Sequence, residues 1–396
     1  MKPFLLTLGV LIPATILQCF WPQSVTAPEV LRVDETTLPF NSRWNTVKLY
    51  NGSLYITGNE NPNTYPCSTR YGVYTYKVNP DTGAIQSSWL LPYNVSHHDS
   101  EMIDGKVVTV GGLVGNSSNV CFSAIWAETQ NPAAYSTVFS TGVHDTETIL
   151  LNDGTILSVG GWEGNVTSPQ IKRINSSLGV LNSWTLNTSR SYRTMHQLDD
   201  GTVMIIGGLN YNGSTVNNLA SIEVLNPSTG TISTASYTLI TGRRYHSSVY
   251  VDGKIYVIGG TSLATLGKGA GIASVERIDH AAGTVVNFAT LQYPRQHQQT
   301  FLLTRNGTKY IAVFGGEHNN APVTQAELIN LDTGAVTTLN GVSWGLTDHD
   351  RISVCEGNEL YLVGGSAISA GPGTSGNGTN KIVKYTFDAN TTCVKQ

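Results

Sequence analysis

The chain has 396 residues, and its 27 acidic and 23 basic residues leave a formal net charge of −4 with no basic block, which argues against a nucleic-acid partner. Charged residues make up only 13% while there are 41 glycines and abundant serine, threonine and asparagine, the composition of a β-rich, turn-rich secreted protein. A length that would serve two or three ordinary domains fits one large β domain equally well.

Residues 1–27 read as a secretory signal peptide. Lys2 supplies the positive start, Phe4 to Phe20 the apolar stretch and Val25-Thr26-Ala27 a small-residue cleavage pattern. Pro13 interrupts the run, which is short for a membrane span, so no membrane association is expected after cleavage. The mature chain, 28–396, carries ten N-x-S/T sequons, at Asn51, Asn94, Asn116, Asn165, Asn175, Asn187, Asn212, Asn306, Asn377 and Asn390. Together with the leader they predict a heavily glycosylated surface on a secreted protein of eukaryotic origin. Cleavage removes Cys19 and leaves Cys67, Cys121, Cys355 and Cys393, an even number that predicts two disulfides in an oxidising compartment.

Residues 28–42 precede the first hairpin and include the strand-like Val30-Leu31-Arg32-Val33. A hairpin motif then recurs, seen most clearly in Arg244–Gly260, RYHSSVYVDGKIYVIGG: an alternating strand, a tight Asp-Gly turn, an apolar strand and a paired-glycine stop. The apolar strands end at Gly58, Gly111, Gly160, Gly207, Gly259, Gly315 and Gly364, with spacings of 53, 49, 47, 52, 56 and 49 residues. Six of the seven stops are Gly-Gly, and only Gly58-Asn59 departs. Third strands follow as YTYKVNPDTG, IKRINSSLG, SIEVLNPSTG, SVERIDHAAG and AELINLDTG.

This period and pattern resemble the kelch repeat, whose unit is one four-stranded propeller blade. The resemblance covers essentially the whole mature chain and implies an all-β, seven-bladed kelch-type β-propeller in one domain. Residues 28–35 are then expected to supply the outer strand of the last blade. Cys67 and Cys121 lie 9 and 10 residues after Gly58 and Gly111, matching points of neighbouring blades, and are a candidate bridge; Cys355 and Cys393 would join the last blade to the tail.

In such a blade the start of the first strand and the loop after Gly-Gly open on one face, the mouth of the central channel. Aligned on the hairpins, the strand starts are Trp44-Asn45, His97-His98, His144-Asp145, Arg193-Thr194, Tyr245-His246, Gln296-His297 and Asp348-His349. Arg43, Arg193, Arg244, Arg295 and Arg351 are expected near the axis or its rim, and the facing loops add Trp162, Tyr211, Glu317 and His318. A polar residue at the start of an inner strand also serves to satisfy hydrogen bonds between blades. A ligand site at the mouth competes with that purely structural duty.

Tyr245-His246-Ser247 is similar to the Tyr-His-Ser segment of the galactose oxidase and glyoxal oxidase families, and the resemblance implies copper on the Tyr and His. Those families also require a cysteine linked to a second tyrosine and a later histidine, whereas the four mature cysteines here are assigned to disulfides. No metal motif of zinc type, phosphate loop or dinucleotide fingerprint is present. His144-Asp145 and His349-Asp350 suggest a base and a carboxylate, yet neighbours on an extended strand point to opposite faces and no serine sits in a nucleophile elbow.

No cofactor is therefore expected, and a small molecule is the expected partner. The profile of signal peptide, many sequons and a stand-alone propeller resembles the glycosylated hetero-Diels–Alderases of fungal tropolone-sesquiterpenoid biosynthesis. That resemblance implies a cycloaddition between a quinone methide and a polyene such as humulene. His246, Tyr245, His297, His98 and Arg193 would donate or orient, while Trp44, Trp162, Tyr211, His349 and His318 would bind substrate. The alternative is a non-catalytic carbohydrate- or protein-binding module.

Overall fold

The computed structural model describes residues 26–42, 45–58, 74–91, 97–112, 124–127, 134–137, 142–267, 269–343, 346–347, 353–367 and 379–394. The leader up to residue 25, Arg43, Trp44, Cys67, Cys121, His349 and Arg351 lie outside them, as do the sequons at Asn94, Asn116 and Asn377.

All seven hairpins form, and each nucleates its own antiparallel sheet of four or five strands. The inner strands are Thr46–Tyr50, Asp99–Ile103, Glu147–Leu150, Thr194–Gln197, Ser247–Val251, Gln299–Arg305 and Ser353–Glu356, which define blades 1 to 7. Turns such as Asp252-Gly253 take positive φ at both residues, 51° and 71°, as a two-residue hairpin requires. The second strands are buried on both faces: every residue of Ile156–Val159 and of Val203–Ile206 is inaccessible, because each lies between two neighbouring sheets. Outer strands such as Val180–Thr185 are mostly exposed.

The core is divided among the seams. Leu157 and Val159 of blade 3 pack on Met195, Val203 and Ile205 of blade 4, and Val249, Tyr256 and Ile258 of blade 5 on Leu302, Ile311 and Val313 of blade 6. Leu38, Val354 and Val363 of blade 7 pack on Val47, Leu54 and Ile56 of blade 1, so the last sheet meets the first. Each fully buried aliphatic side chain contributes about 1.5–3 kcal/mol. No blade can bury its two apolar faces alone, and the ring is the arrangement that covers them all.

Two terminal strands complete the circle. Val30–Ser42 pairs antiparallel with Thr379–Phe387 from Val30↔Phe387 to Ser42↔Thr379, forming the outer strand of blade 7 and running further than the 28–35 segment expected. Thr391–Val394 adds a fifth strand to blade 6, pairing with Leu302–Arg305 on the inner edge of the sheet. There Cys393 is bonded to Cys355 of blade 7, as expected from the sequence. The tail is thus held between the inner strands of blades 6 and 7.

Candidate functional site

Each of five inner strands is preceded by a residue with a left-handed backbone: His97, Asp145, Tyr192, Tyr245 and His297 have φ between 49° and 58°. These five occupy equivalent places in blades 2 to 6. Their backbones are linked across blades, with Asp145 N–H donating to His97 O (2.8 Å), Tyr245 N–H to Tyr192 O (3.2 Å) and His297 N–H to Tyr245 O (3.0 Å). The expected alignment of strand starts is therefore off by one residue in blades 3, 4 and 6, where Asp145, Tyr192 and His297 stand in line with His97 and Tyr245. A left-handed residue breaks the two-residue alternation on which that alignment depends.

The glycine pairs complete the geometry. Gly260 has φ +95°, and a Cβ there would lie 2.7 Å from Arg244 O and 2.9 Å from His246 Cβ, so the loop after it returns tightly against the start of its own blade's inner strand. Consequently Trp162 pairs with His144, Leu209 with Ser191, Thr261 with Arg244 and Glu317 with Gln296. Strand starts and glycine loops do share one mouth.

The result is an arc of rings. His144 stacks on Trp162 (6.5 Å between centroids), Trp162 contacts Tyr211 (5.7 Å) and Tyr192 (6.1 Å), Tyr192 lies 4.3 Å from Tyr245, and Tyr245 lies 4.0 Å from His297. Below it an axial cavity of about 700 Å³ runs from His97, Tyr192, Tyr245 and His297 down to Glu356 and Cys393. Its volume falls within the roughly 300–1,000 Å³ of small-molecule sites.

Polar groups hold the arc. His144 Nδ1 and Asp145 Oδ2 are 2.9 Å apart, and Tyr192 Oη donates to the same oxygen at 3.3 Å. This overturns the expectation that His144 and Asp145 point to opposite faces, which fails because Asp145 is left-handed rather than extended. His297 Nδ1 meets Glu317 Oε1 at 2.8 Å, both buried. Arg193 is buried, donates to Asp145 O at 3.4 Å and lies 3.9 Å from Glu147 Oε2. His318 Nδ1 accepts from Gly271 N–H at 3.1 Å on the rim.

His98 and His246 lie one residue further in, in the seams. His98 Nε2 is 3.2 Å from Thr57 O, His246 Nε2 is 3.2 Å from Thr194 Oγ1, and both side chains line the cavity wall. Burial pulls their pKa values down to about 4 and about 3, with the Arg243 cation adding to the effect at His246, so both are neutral at physiological pH. Burial acts in the other direction on the phenols: Tyr245 is raised to about 12 despite the Arg244 cation, and Tyr192 is raised well above its usual value, with Asp145 adding to the shift. Both tyrosines therefore present O–H groups, not phenolates, at neutral pH.

The arginines divide. Arg295, expected at the rim, is turned into the seam, where it donates to Gly315 O (2.9 Å), Gln325 O (3.0 Å) and Glu327 Oε2 (2.5 Å). Arg190 and Arg243 do the same with Gly207 O, Ser221 O and Glu223, and with Gly259 O, Ser274 O and Glu276. Neither of these two is singled out by the sequence reading, nor is Tyr192. The signal for all three is the repeated Arg-x-Tyr/His at Arg190-Ser191-Tyr192, Arg243-Arg244-Tyr245 and Arg295-Gln296-His297.

A copper-radical centre needs converging ligands. His246 is turned toward Thr194, the described cysteines Cys355 and Cys393 are bonded to each other, and among the described residues no three His, Cys, Asp or Glu side chains are grouped to hold a metal. The described residues do not assemble that ligand set.

A model of the Kelch motif matches residues 242–292. Among solved structures, the chain is similar to a fungal alcohol oxidase of the AA5 family, solved in complex with copper, with a TM-score of 0.66, 14% identity and coverage of 91% of this chain and 76% of that one. No curated protein sequence matches the chain. Seven glycine-terminated hairpins, sheets of four or five strands packed seam to seam around an axial cavity, the motif match and the structural likeness together define the fold: this chain is an all-β protein of the kelch-type β-propeller class.

Proposed function

We propose that the chain is a small-molecule enzyme acting at the propeller mouth, and that its reaction is the hetero-Diels–Alder cycloaddition of a quinone methide with a polyene such as humulene. The observation that supports this most is the arc of Trp162, Tyr192, Tyr245 and His297 over the axial cavity, which sets protonated phenols beside aromatic faces. The reaction needs its two partners held face to face, and such positioning removes up to about 7–11 kcal/mol of barrier.

In this reading Tyr245 donates a hydrogen bond to the quinone methide carbonyl and stabilises the charge that gathers there in the transition state, while Tyr192, whose proton goes to Asp145, packs against Tyr245 and holds its ring in place. Trp162, Tyr211 and the His144 ring hold the polyene by apolar contact. Asp145 fixes the Tyr192 hydroxyl, Glu317 fixes His297, and Arg193, His98 and His246 hold the strand starts that carry the arc. The protein would work as a secreted glycoprotein, its glycans on described sequons such as Asn165 and Asn212, both exposed beside the mouth.

The test is turnover by protein expressed through a eukaryotic secretory pathway, given humulene and an ortho-quinone methide generated in place, with products resolved by chiral chromatography. One stereoisomer formed faster than background is expected, with a loss of about 10²-fold in Tyr245→Phe. Background rate and racemic product with wild-type protein would remove the reaction. Ligand binding without turnover would leave a non-catalytic binding module.

A further inference from the structure

Among the described residues four arginines are completely buried, Arg190, Arg243, Arg244 and Arg295. Three of them meet a glutamate: Arg190 meets Glu223, Arg243 meets Glu276 and Arg295 meets Glu327. Arg244 meets none among the described residues. Its Nη1 donates to Asn218 Oδ1 (2.5 Å) and Leu263 O (3.0 Å), and its Nη2 to Thr265 O (2.5 Å) and Gly267 O (3.3 Å), while Nε has no hydrogen-bond partner among the described residues. Each of these acceptors is a neutral oxygen, so a full positive charge stays inside the protein without a described carboxylate to offset it.

A buried, unpaired cation costs several kcal/mol of desolvation. Bracing the loop after Gly260 does not require that charge, since the acceptors are carbonyls that neutral donors also satisfy. The charge has one conspicuous neighbour: the guanidinium carbon lies 5.4 Å from the centre of the Tyr245 ring. Beyond Tyr192, the Asp145 carboxylate lies on the other side of the tyrosine pair, bonded to His144 and Tyr192. The mouth thus has one cation directly behind Tyr245, with a carboxylate further off on either side, Asp145 behind Tyr192 and Glu317 behind His297.

We infer that Arg244 is a specificity-determining residue that acts through Tyr245, selecting ligands whose oxygen carries negative charge (a carboxylate, phenolate or enolate) and seating that oxygen on the blade 5 side of the mouth. Arg244 does not reach the cavity itself; it strengthens the Tyr245 hydroxyl as a donor and sets the local potential. This rests on the small-molecule reading of the mouth but not on the cycloaddition.

The experiment compares two probes of one shape, benzoate and benzamide, titrated at neutral pH into the full glycosylated chain by calorimetry, with the site located by loss of the tryptophan fluorescence response in Trp162→Phe. Benzoate is expected to bind at least tenfold tighter to wild type. In Arg244→Met the ratio should fall to within twofold of one, whereas Arg244→Lys should weaken both probes and keep the preference. Should Arg244→Met fail to fold, Tyr245→Phe serves in its place, with the ratio again reduced. Equal affinities in wild type, or an unchanged ratio in a folded Arg244→Met or Tyr245→Phe, would overturn the inference and leave the mouth as a small-molecule site. Absence of binding by either probe would remove the mouth reading and the inference together.

Discussion

Two residues apart in the same segment, the seam arginine and the mouth aromatic have opposite surroundings. Arg243 is enclosed, each of its terminal nitrogens hydrogen-bonded, and Glu276 in turn accepts the Ile240 and Thr241 N–H groups at 2.7 and 3.1 Å. Tyr245 is left-handed, partly exposed and turned to the cavity. The pattern repeats at Arg190 with Tyr192 and at Arg295 with His297. One short segment therefore carries both the joint between blades and the chemistry of the mouth. Substitutions in it should separate into those that move stability alone and those that move ligand binding alone.

The sharpest break is Arg243→Met, which strands Glu276 in a dry seam. It should cost about 3–5 kcal/mol in denaturant unfolding, and folded protein at low temperature should bind mouth ligands nearly as before. An equal loss of binding would mean that seam and mouth are not separable.

Next in size is acid sensitivity. His98 and His246 have native pKa values near 4 and 3 against about 6.5 when unfolded, so the unfolded chain takes up more protons as pH falls. Their contribution is complete above about pH 6.5, is lost as pH falls, and levels off near pH 3 to 4. At about 1.4 kcal/mol per pH unit, these come to about 3 kcal/mol for His98 and about 5 kcal/mol for His246. A His246→Gln variant should show a flatter acid limb over that window in thermal melts; an unchanged limb would place the sensitivity elsewhere.

The smallest effect on stability belongs to Tyr192→Phe. It removes one hydroxyl bonded to Asp145 at 3.3 Å and should shift unfolding by only about 1 kcal/mol. Binding at the mouth should nevertheless weaken roughly tenfold, because the hydrogen bond that fixes the Tyr192 ring against Tyr245 is lost and the Asp145 carboxylate loses a donor beside the site. A large stability change with intact binding would reverse the assignment of the two regions.

The fold is legible in the sequence because the hairpin signal is local: a tight turn, most often ending in glycine, an apolar strand and a glycine stop recur within each unit and fix every sheet. The Cys355–Cys393 link and the N-terminal outer strand follow from the ring that these units imply. The mouth is legible only in outline. Trp162, Tyr211, Tyr245 and His297 come together there, but Asp145 and Tyr192 fall out of line because alternation fails at a left-handed residue. Arg295 reads as a rim residue because an arginine near the axis looks the same in sequence whether it faces the channel or a glutamate 32 residues later. Only the repeated Arg-x-Tyr/His, aligned on backbone position, distinguishes them.

The pairing of Val30–Ser42 with Thr379–Phe387, and the tail strand after it, also order events in time. The first strand waits for a partner made about 340 residues later, roughly 20 to 70 s at a synthesis rate of ~5–20 residues per second. Until then blade 1 has no neighbour on the blade 7 side, and the apolar seam formed by Leu38, Val47 and Ile56 stays open to water. Closing the circle is therefore a late step, and the partly built ring is the form most exposed to aggregation.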